Sequence, residues 1–287
     1  MMRSLFPVLS IVAAIFALWY LAAIWLNAPW AHDKAQRAGV SLTASELVAD
    51  TWAQDKPKLP APHQVAVEIW ETTVEKKITS KRSLIWHSWV TLSATLLGFA
   101  LGTGLGILLA VGIVYNTVMD RSVMPWVITS QTIPILALAP MIIVVLNAIG
   151  ISGLLPKAMI SMYLSFFPVV VGMVKGLRSP EIMQLDQMRT WNASASQTFW
   201  RLRLPASMPY LFASLKVGVA ASLVGAIVGE LPTGAVAGLG ARLLAGSYYG
   251  QTIQIWSALI MAAALAALLV AIIGLIQRLT LTRMGMA

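Results

Sequence analysis

Residues 186–209 read DQMRTWNASASQTFWRLRLPASMP, a polar and basic stretch set between two long apolar runs. It contains no residue set able to do chemistry by itself, and a basic amphipathic loop in a very hydrophobic chain points to a docking surface. The surrounding 287 residues are 58% hydrophobic and 11% charged, with a mean hydropathy of +0.78, whereas soluble domains carry about a quarter charged residues. The chain therefore reads as an all-α polytopic membrane protein.

An apolar run needs about 20 residues to cross a bilayer as a helix. Six stretches qualify, at about 5–27, 89–114, 124–149, 154–176, 209–231 and 253–277. The first follows Arg3, exceeds the roughly 7 to 15 apolar residues of a secretory signal, and has no small-x-small site after it, so it reads as a retained helix. The organisation expected is an N-terminal transmembrane helix at 1–27, an extramembrane segment at 28–88, and a core of five transmembrane helices at 89–287 with the polar loop at about 181–209. Trp25, Trp30, Trp86, Trp89, Trp126 and Trp256 lie near span ends, where indoles anchor at the interface.

The net charge of +9 would point to nucleic acid in a soluble protein. In a membrane protein it is explained by basic residues retained on cytoplasmic loops, and no nucleic-acid partner is expected. Raw counting of Lys and Arg on the two sides nearly ties, but long segments are weak topology signals. The short loops, with Arg3, Arg121, Lys175, Arg178, Arg189, Arg201, Arg203, Arg278 and Arg283 on one side, favour a cytoplasmic N-terminus. The absence of cysteine excludes disulfides and thiolate sites.

Within 28–88, Val67, Trp70, Val74 and Ile78 recur at helical spacing opposite Glu68, Glu71 and Glu75. That pattern fits an amphipathic helix on the membrane surface, or equally a small extramembrane cap. Gly98, Gly102 and Gly106 put a glycine face on the second span, where a neighbouring helix can approach closely. The third span contains SQTIPILALAP: Gln131 and Thr132 are polar, and Pro134 and Pro140 interrupt the backbone ladder. Such a segment either lines a water-filled pathway or is a kinked helix. Ser161, Tyr163 and Ser165 make the fourth span the facing wall. Lys216 and Glu230 lie within about two turns of the ends of the fifth span, which favours snorkelling for Lys216. Glu230 opens the glycine-rich stretch GELPTGAVAGLGARLLAGSYYGQT, read as a turning loop or re-entrant hairpin able to form an outer gate.

No phosphate-cradling GxxxxGK[ST], no GxSxG elbow and no HExxH occurs, and His32, His63 and His87 are scattered. No catalytic residue, metal site or cofactor is expected, and the chain does not read as an enzyme.

From Arg189 onward the opening stretch resembles the EAA loop of ABC importer permeases, in the version seen in the nitrate, sulfonate, taurine and thiamine-precursor group. Ala193, Ser194, Gln197, Phe199, Leu204 and Pro205 match it. LPAPHQV, LLGFALGTGLGILLAV, IPILALAP and FFPVVVGMVKGLRS resemble the same group, so that the similarity covers roughly 60–287. Asp186, Gln187 and Met188 stand where the pattern has EAA, and Asn192 stands at its glycine. Asp keeps the acid, and Asn tolerates the left-handed conformation that a helix-turn-helix bend needs.

The resemblance implies a type I ABC importer transmembrane domain in a bacterial inner membrane. It implies that Asp186, Arg189, Thr190, Asn192, Ala193, Ser194, Gln197, Phe199, Arg201, Leu204 and Pro205 form a cytoplasmic coupling helix against a separate ATPase, with Leu204 and Pro205 ending it. Implied partners are a second permease copy, two ATP-binding cassette subunits, a periplasmic or lipid-anchored solute-binding protein, and membrane lipids. The implied cargo is a small polar solute, either a pyrimidine-like nitrogen heterocycle or a sulfonate, taurine or nitrate anion. Gln131, Thr132, Pro134, Ser161, Tyr163, Ser165 and Glu230 are the candidate pathway residues. The rival reading, a secondary transporter or channel without ATPase subunits, calls for inverted repeats or buried coupling carboxylates, and neither is apparent.

Overall fold

A computed structural model describes residues 2–232 and 237–286, and all regular structure among the described residues is helical. Five helices are long and apolar enough to cross a membrane: Phe6–Arg37, Leu84–Tyr115, Leu154–Leu177, Ala195–Glu230 and Thr252–Arg283. A further apolar pair, α5 (Thr117–Ser130) and α6 (Ile135–Ala148), is bent by 100° at its break, the geometry of a broken span or a re-entrant loop. The chain is thus an all-helical polytopic membrane protein. It divides into two compact units.

The first unit joins Met1–His87 to Ala241–Met261. α1 (Met2–Arg37) continues well past the expected end of the first span, and α2 (Ala44–Ala53) and α3 (Pro62–Trp70) follow. Thr43 and Glu46 cap α2 reciprocally, the Thr43 N–H reaching Glu46 Oε2 at 2.8 Å. Buried Asn27 of α1 organises what lies between α2 and α3. Its amide donates to the carbonyls of Thr51 (3.1 Å) and Leu59 (2.8 Å), and its Oδ1 accepts from Lys58 N (2.8 Å) and Leu59 N (3.2 Å).

Side chains of 241–261 pack within this unit. Trp256 stacks on Trp19 with ring centroids 4.8 Å apart, Thr252 donates to the Pro57 carbonyl, and buried Arg242 reaches Glu68 Oε1 at 2.6 Å and the Arg82 carbonyl at 2.9 Å. Replacing Asn27 by Leu leaves backbone groups dry at a cost on the order of 1–3 kcal/mol each. Limited proteolysis of Asn27→Leu is therefore expected to cut within 51–59 several-fold faster than in the native chain, and an unchanged rate would remove Asn27 from this role.

The second unit joins Ser88–Gly240 to Ala262–Ala287, with α7 (Leu154–Leu177) as its axis. Without a hydrophobic drive between helices in lipid, close backbone approach has to supply the packing. α4 (Leu84–Tyr115) lays Gly98 on Ser161, Gly102 on Ser165 and Gly106 on Val169, while α10 (Leu204–Glu230) lays Gly225 on Ser161 from the other side. Ser222 adds a 2.8 Å bond to the Thr95 carbonyl. Ala110, Ile113, Phe166, Val170, Met173 and Leu177 fill the core beside the crossing.

The expected third span at 124–149 is not one helix. α5 stops at Ser130, and Pro134, extended at φ −61° and ψ 121°, stands at the N-cap of α6. Pro125 and Pro140 are carried inside α5 and α6.

Candidate functional site

The polar stretch folds as a hairpin of two short helices, α8 (Ile182–Thr190) and α9 (Ala195–Thr198). Its order is local. The Glu181 N–H meets Gln184 Oε1 at 3.0 Å before α8, and within it Asp186 pairs with Arg189 at 2.9 Å. α8 ends in a Schellman motif: Asn192 N bonds the Arg189 carbonyl (2.8 Å) and Ala193 N the Met188 carbonyl (3.0 Å). That geometry needs a left-handed residue, and Asn192 sits at φ 52°, the one non-glycine residue with positive φ among those described. Ser194 and Gln197 then cap α9 reciprocally, at 2.8 and 3.2 Å.

The hairpin leaves large apolar side chains in the open. Ile182 and Met183 are each 78% exposed, Trp191 66% and Trp200 63%. Beside them lies a hollow of about 400 Å³ lined by Gln187, Met188, Trp191, Ala193, Gln197 and Arg201. Exposed aromatics rimmed by polar groups mark interaction surfaces. Ile182 and Met183 were missed in the sequence, although an apolar pair opening a polar helix was a readable signal.

Two expectations for the hairpin need correction. Phe199, expected in the coupling set, is half-buried against the core and meets Tyr115 edge-on at 6.1 Å, with the Trp200 ring 5.1 Å away. Leu204 and Pro205 do not end the helix. A π turn, Phe199–Arg203, carries α9 into α10, with Leu204 N bonded to the Phe199 carbonyl, and Pro205 falls in the first turn of α10, where its missing N–H is tolerated.

The candidate pathway residues do not share one surface. Gln131, Thr132 and Pro134 sit at the break between α5 and α6, where the Tyr163 hydroxyl donates to the Ser130 carbonyl. Ser161 and Ser165 are 0% exposed beneath the glycines of α4 and α10, so they act in packing. Glu230 is also 0% exposed and lines no surface. Its carboxylate accepts from Thr91 Oγ1 (2.9 Å) and Gly240 N (2.8 Å), with Lys157 Nζ 4.0 Å away. Thr91 Oγ1 accepts in turn from Leu239 N at 2.8 Å, and Lys157 donates to the Ala237 carbonyl at 3.4 Å. Thr91 and Lys157 escaped the sequence reading because they stand far from Glu230 along the chain. Residues 233–236 of the expected outer gate lie outside the described residues; beyond them α11 spans Leu239–Tyr249. Lys216 lies inside the helical stretch Ala195–Glu230, with its Cε and Nζ facing Gly274 of α12 (Thr252–Arg283).

Residues 102–285 match the family described as the binding-protein-dependent transport system inner membrane component. Among curated proteins, the formylaminopyrimidine transport permease protein ThiX of Halalkalibacterium halodurans is 34% identical over 183 residues, covering 63% of this chain and 68% of that protein. The riboflavin transport system permease protein RibX of Chloroflexus aurantiacus is 30% identical over 222 residues, covering 77% and 78%. Among solved structures, an inward-facing MetNI methionine ABC transporter chain superposes with a TM-score of 0.53 at 19% identity, over 75% of this chain and 95% of that one, a likeness of fold. The chain belongs to the family of binding-protein-dependent transport system inner-membrane components.

Proposed function

We propose that this chain is the membrane-spanning permease subunit of an ATP-driven importer in a bacterial inner membrane, with the 181–209 hairpin as its coupling element. The observation that carries the reading is the hairpin itself: internally capped, apolar on its open face, and continuous with the span Ala195–Glu230. A short helix of this kind is suited to a groove on a partner. The chain has no phosphate-cradling sequence of its own, so ATP hydrolysis is assigned to two separate cassette subunits. A second permease copy completes the membrane part, and a periplasmic or lipid-anchored binding protein delivers solute. With the broken pair α5–α6 counted as a crossing, an even number of spans precedes the hairpin. It then shares the cytoplasmic side with the N-terminus, in agreement with the basic short loops.

For the solute we favour a nitrogen heterocycle. The relatives named for formylaminopyrimidine and riboflavin match at 34% and 30% identity, against 23% for those named for aliphatic sulfonates and nitrate. The buried cations agree, since Arg242 is paired with Glu68 and Lys157 lies beside Glu230. For the pathway lining we retain Gln131, Thr132, Pro134 and Tyr163 around the helix break.

The test is association. Ala193 lines the hollow of the hairpin, and Ala193→Glu is expected to abolish co-purification of the ATPase subunits while membrane insertion and thermal stability stay native. ATPase recovered with this variant at native yield would sink the coupling role.

A further inference from the structure

The hairpin is joined to the membrane helices at both ends, by residues 178–181 after α7 and by the π turn before α10. The π turn Phe199–Arg203 holds its end residue, Arg203, at the foot of α10, where the guanidinium makes two attachments. Nη1 donates to the carbonyl of Leu177 at 2.8 Å. Leu177 is the last residue of α7, and carbonyls in that position have no partner within their own helix. The guanidinium carbon also lies 5.7 Å from the ring centroid of Tyr115, the last residue of α4. Both attachments are C-terminal helix ends, where the peptide dipoles leave negative charge for a cation. Tyr115 in turn meets Phe199, the first residue of the same π turn, so the contacts close a ring around the junction.

Neighbouring basic groups do not duplicate this arrangement. Arg201, two residues earlier, lines the hollow of the hairpin. Arg178 pairs with Asp120 at 2.9 Å and ties the end of α7 to α5, with both side chains well exposed. Lys175 lies over the Tyr210 ring at 5.9 Å, higher on α10. Arg203 alone among these joins the root of the hairpin to both α4 and α7.

A π turn inside a helix is a local weakness and recurs at functional positions. On the α10 side, an unclamped turn of this kind would absorb a push by bending there. With the turn clamped to two further helix ends, the same push displaces α4, α7 and α10 together. We infer that Arg203 is a positioning residue for energy coupling, the clamp that delivers movement of the hairpin to three membrane helices at once. This rests on the reading of the hairpin as the ATPase-coupling element.

The test uses the whole transporter in proteoliposomes: permease, ATPase subunits and loaded binding protein, with ATP hydrolysis and solute uptake measured on the same vesicles. Arg203→Ala is expected to keep its ATPase subunits and its basal hydrolysis, while solute moved per ATP falls about tenfold, the size of a typical coupling free energy between sites. Arg203→Lys, which keeps a donor for the Leu177 carbonyl but not the planar stacking group, should recover part of the ratio. Tyr115→Leu should lower the ratio by a smaller factor than Arg203→Ala. A native ratio in Arg203→Ala overturns the inference, as does a parallel fall of hydrolysis and uptake in Arg203→Lys and Tyr115→Leu. Loss of ATPase association in Arg203→Ala also overturns it, because Arg203 would then be a docking contact. Native association of Ala193→Glu removes the underlying reading itself, so the two failures are told apart.

Discussion

Gly225→Leu is expected to leave no folded permease. A Cβ at Gly225 would lie 2.7 Å from Ser161 Cα, 3.0 Å from the Ile160 carbonyl and 3.1 Å from Ser161 N, all backbone of α7 and unable to rotate aside. Nor can α7 retreat, because Gly98 presses Ser161 from the other side: a Cβ there would stand 2.3 Å from Ser161 Cβ and 2.6 Å from the Ala158 carbonyl. Overpacking that side chains can relieve costs about 1–3 kcal/mol. Here the only relief is to part the helices, which forfeits the close contact that holds a membrane bundle together. Solubilised Gly225→Leu should therefore elute as aggregate, whereas Gly104→Leu, with nothing within 4 Å of its Cβ position, should elute and unfold as the native chain does. A monodisperse Gly225→Leu with a native unfolding temperature would mean that the three-helix crossing does not hold the fold.

The same crossing explains which features were legible in the sequence. The spans were, because a run of about 20 apolar residues has few alternatives to crossing a bilayer. The glycine face of α4 was legible as packing, but the helix it meets was not. Ser161 and Ser165 looked like pathway hydroxyls, whereas their value at the crossing is small volume, and the buried Ser161 hydroxyl has no bonding partner among the described residues. Polarity and size give such a residue two meanings, and only the neighbouring helix decides between them.

The hairpin divides in the same way. Its caps and its bend at Asn192 depend on residues at most a few positions apart, so spacing alone exposed them. The π turn has no comparable sequence signature, and it changes the meaning of Leu204–Pro205, which continue the helix rather than end it. In the stretch from 62 to 78 another π turn, Glu71–Glu75, follows α3. There Val65 and Thr72 are buried while Val67, Trp70, Val74 and Ile78 stay open. The helical period found the apolar stripe, but the helix ends at Glu75 and leaves Ile78 beyond it.

Glu230→Ala is expected to cost nearly as much as the glycine substitution, by the opposite mechanism. It overpacks nothing and instead strips a buried cluster of its acceptor. The Gly240 N–H and the Thr91 hydroxyl lose the carboxylate, and Lys157, whose side chain is 11% exposed, loses its counter-charge. Removing one member of a buried ion pair costs about 3–5 kcal/mol, most of it the penalty of the charge left behind. For a chain of this size that corresponds to a drop in unfolding temperature on the order of 10 °C. Glu230→Gln keeps an acceptor for the Gly240 N–H and should fall between. The decisive variant is the pair Glu230→Met with Lys157→Met. If the stranded ammonium is the main cost, the double variant unfolds at a higher temperature than Glu230→Met alone, and the cycle shows strong coupling between the sites. Additive losses would instead mean that Glu230 acts through its bonds to Gly240 and Thr91. Gly238→Ala offers a geometric check on the same cluster. At φ 125° a Cβ is strained, and it would lie 2.2 Å from Glu230 Cδ, so this smallest of side-chain additions should reproduce much of the loss with the carboxylate still present.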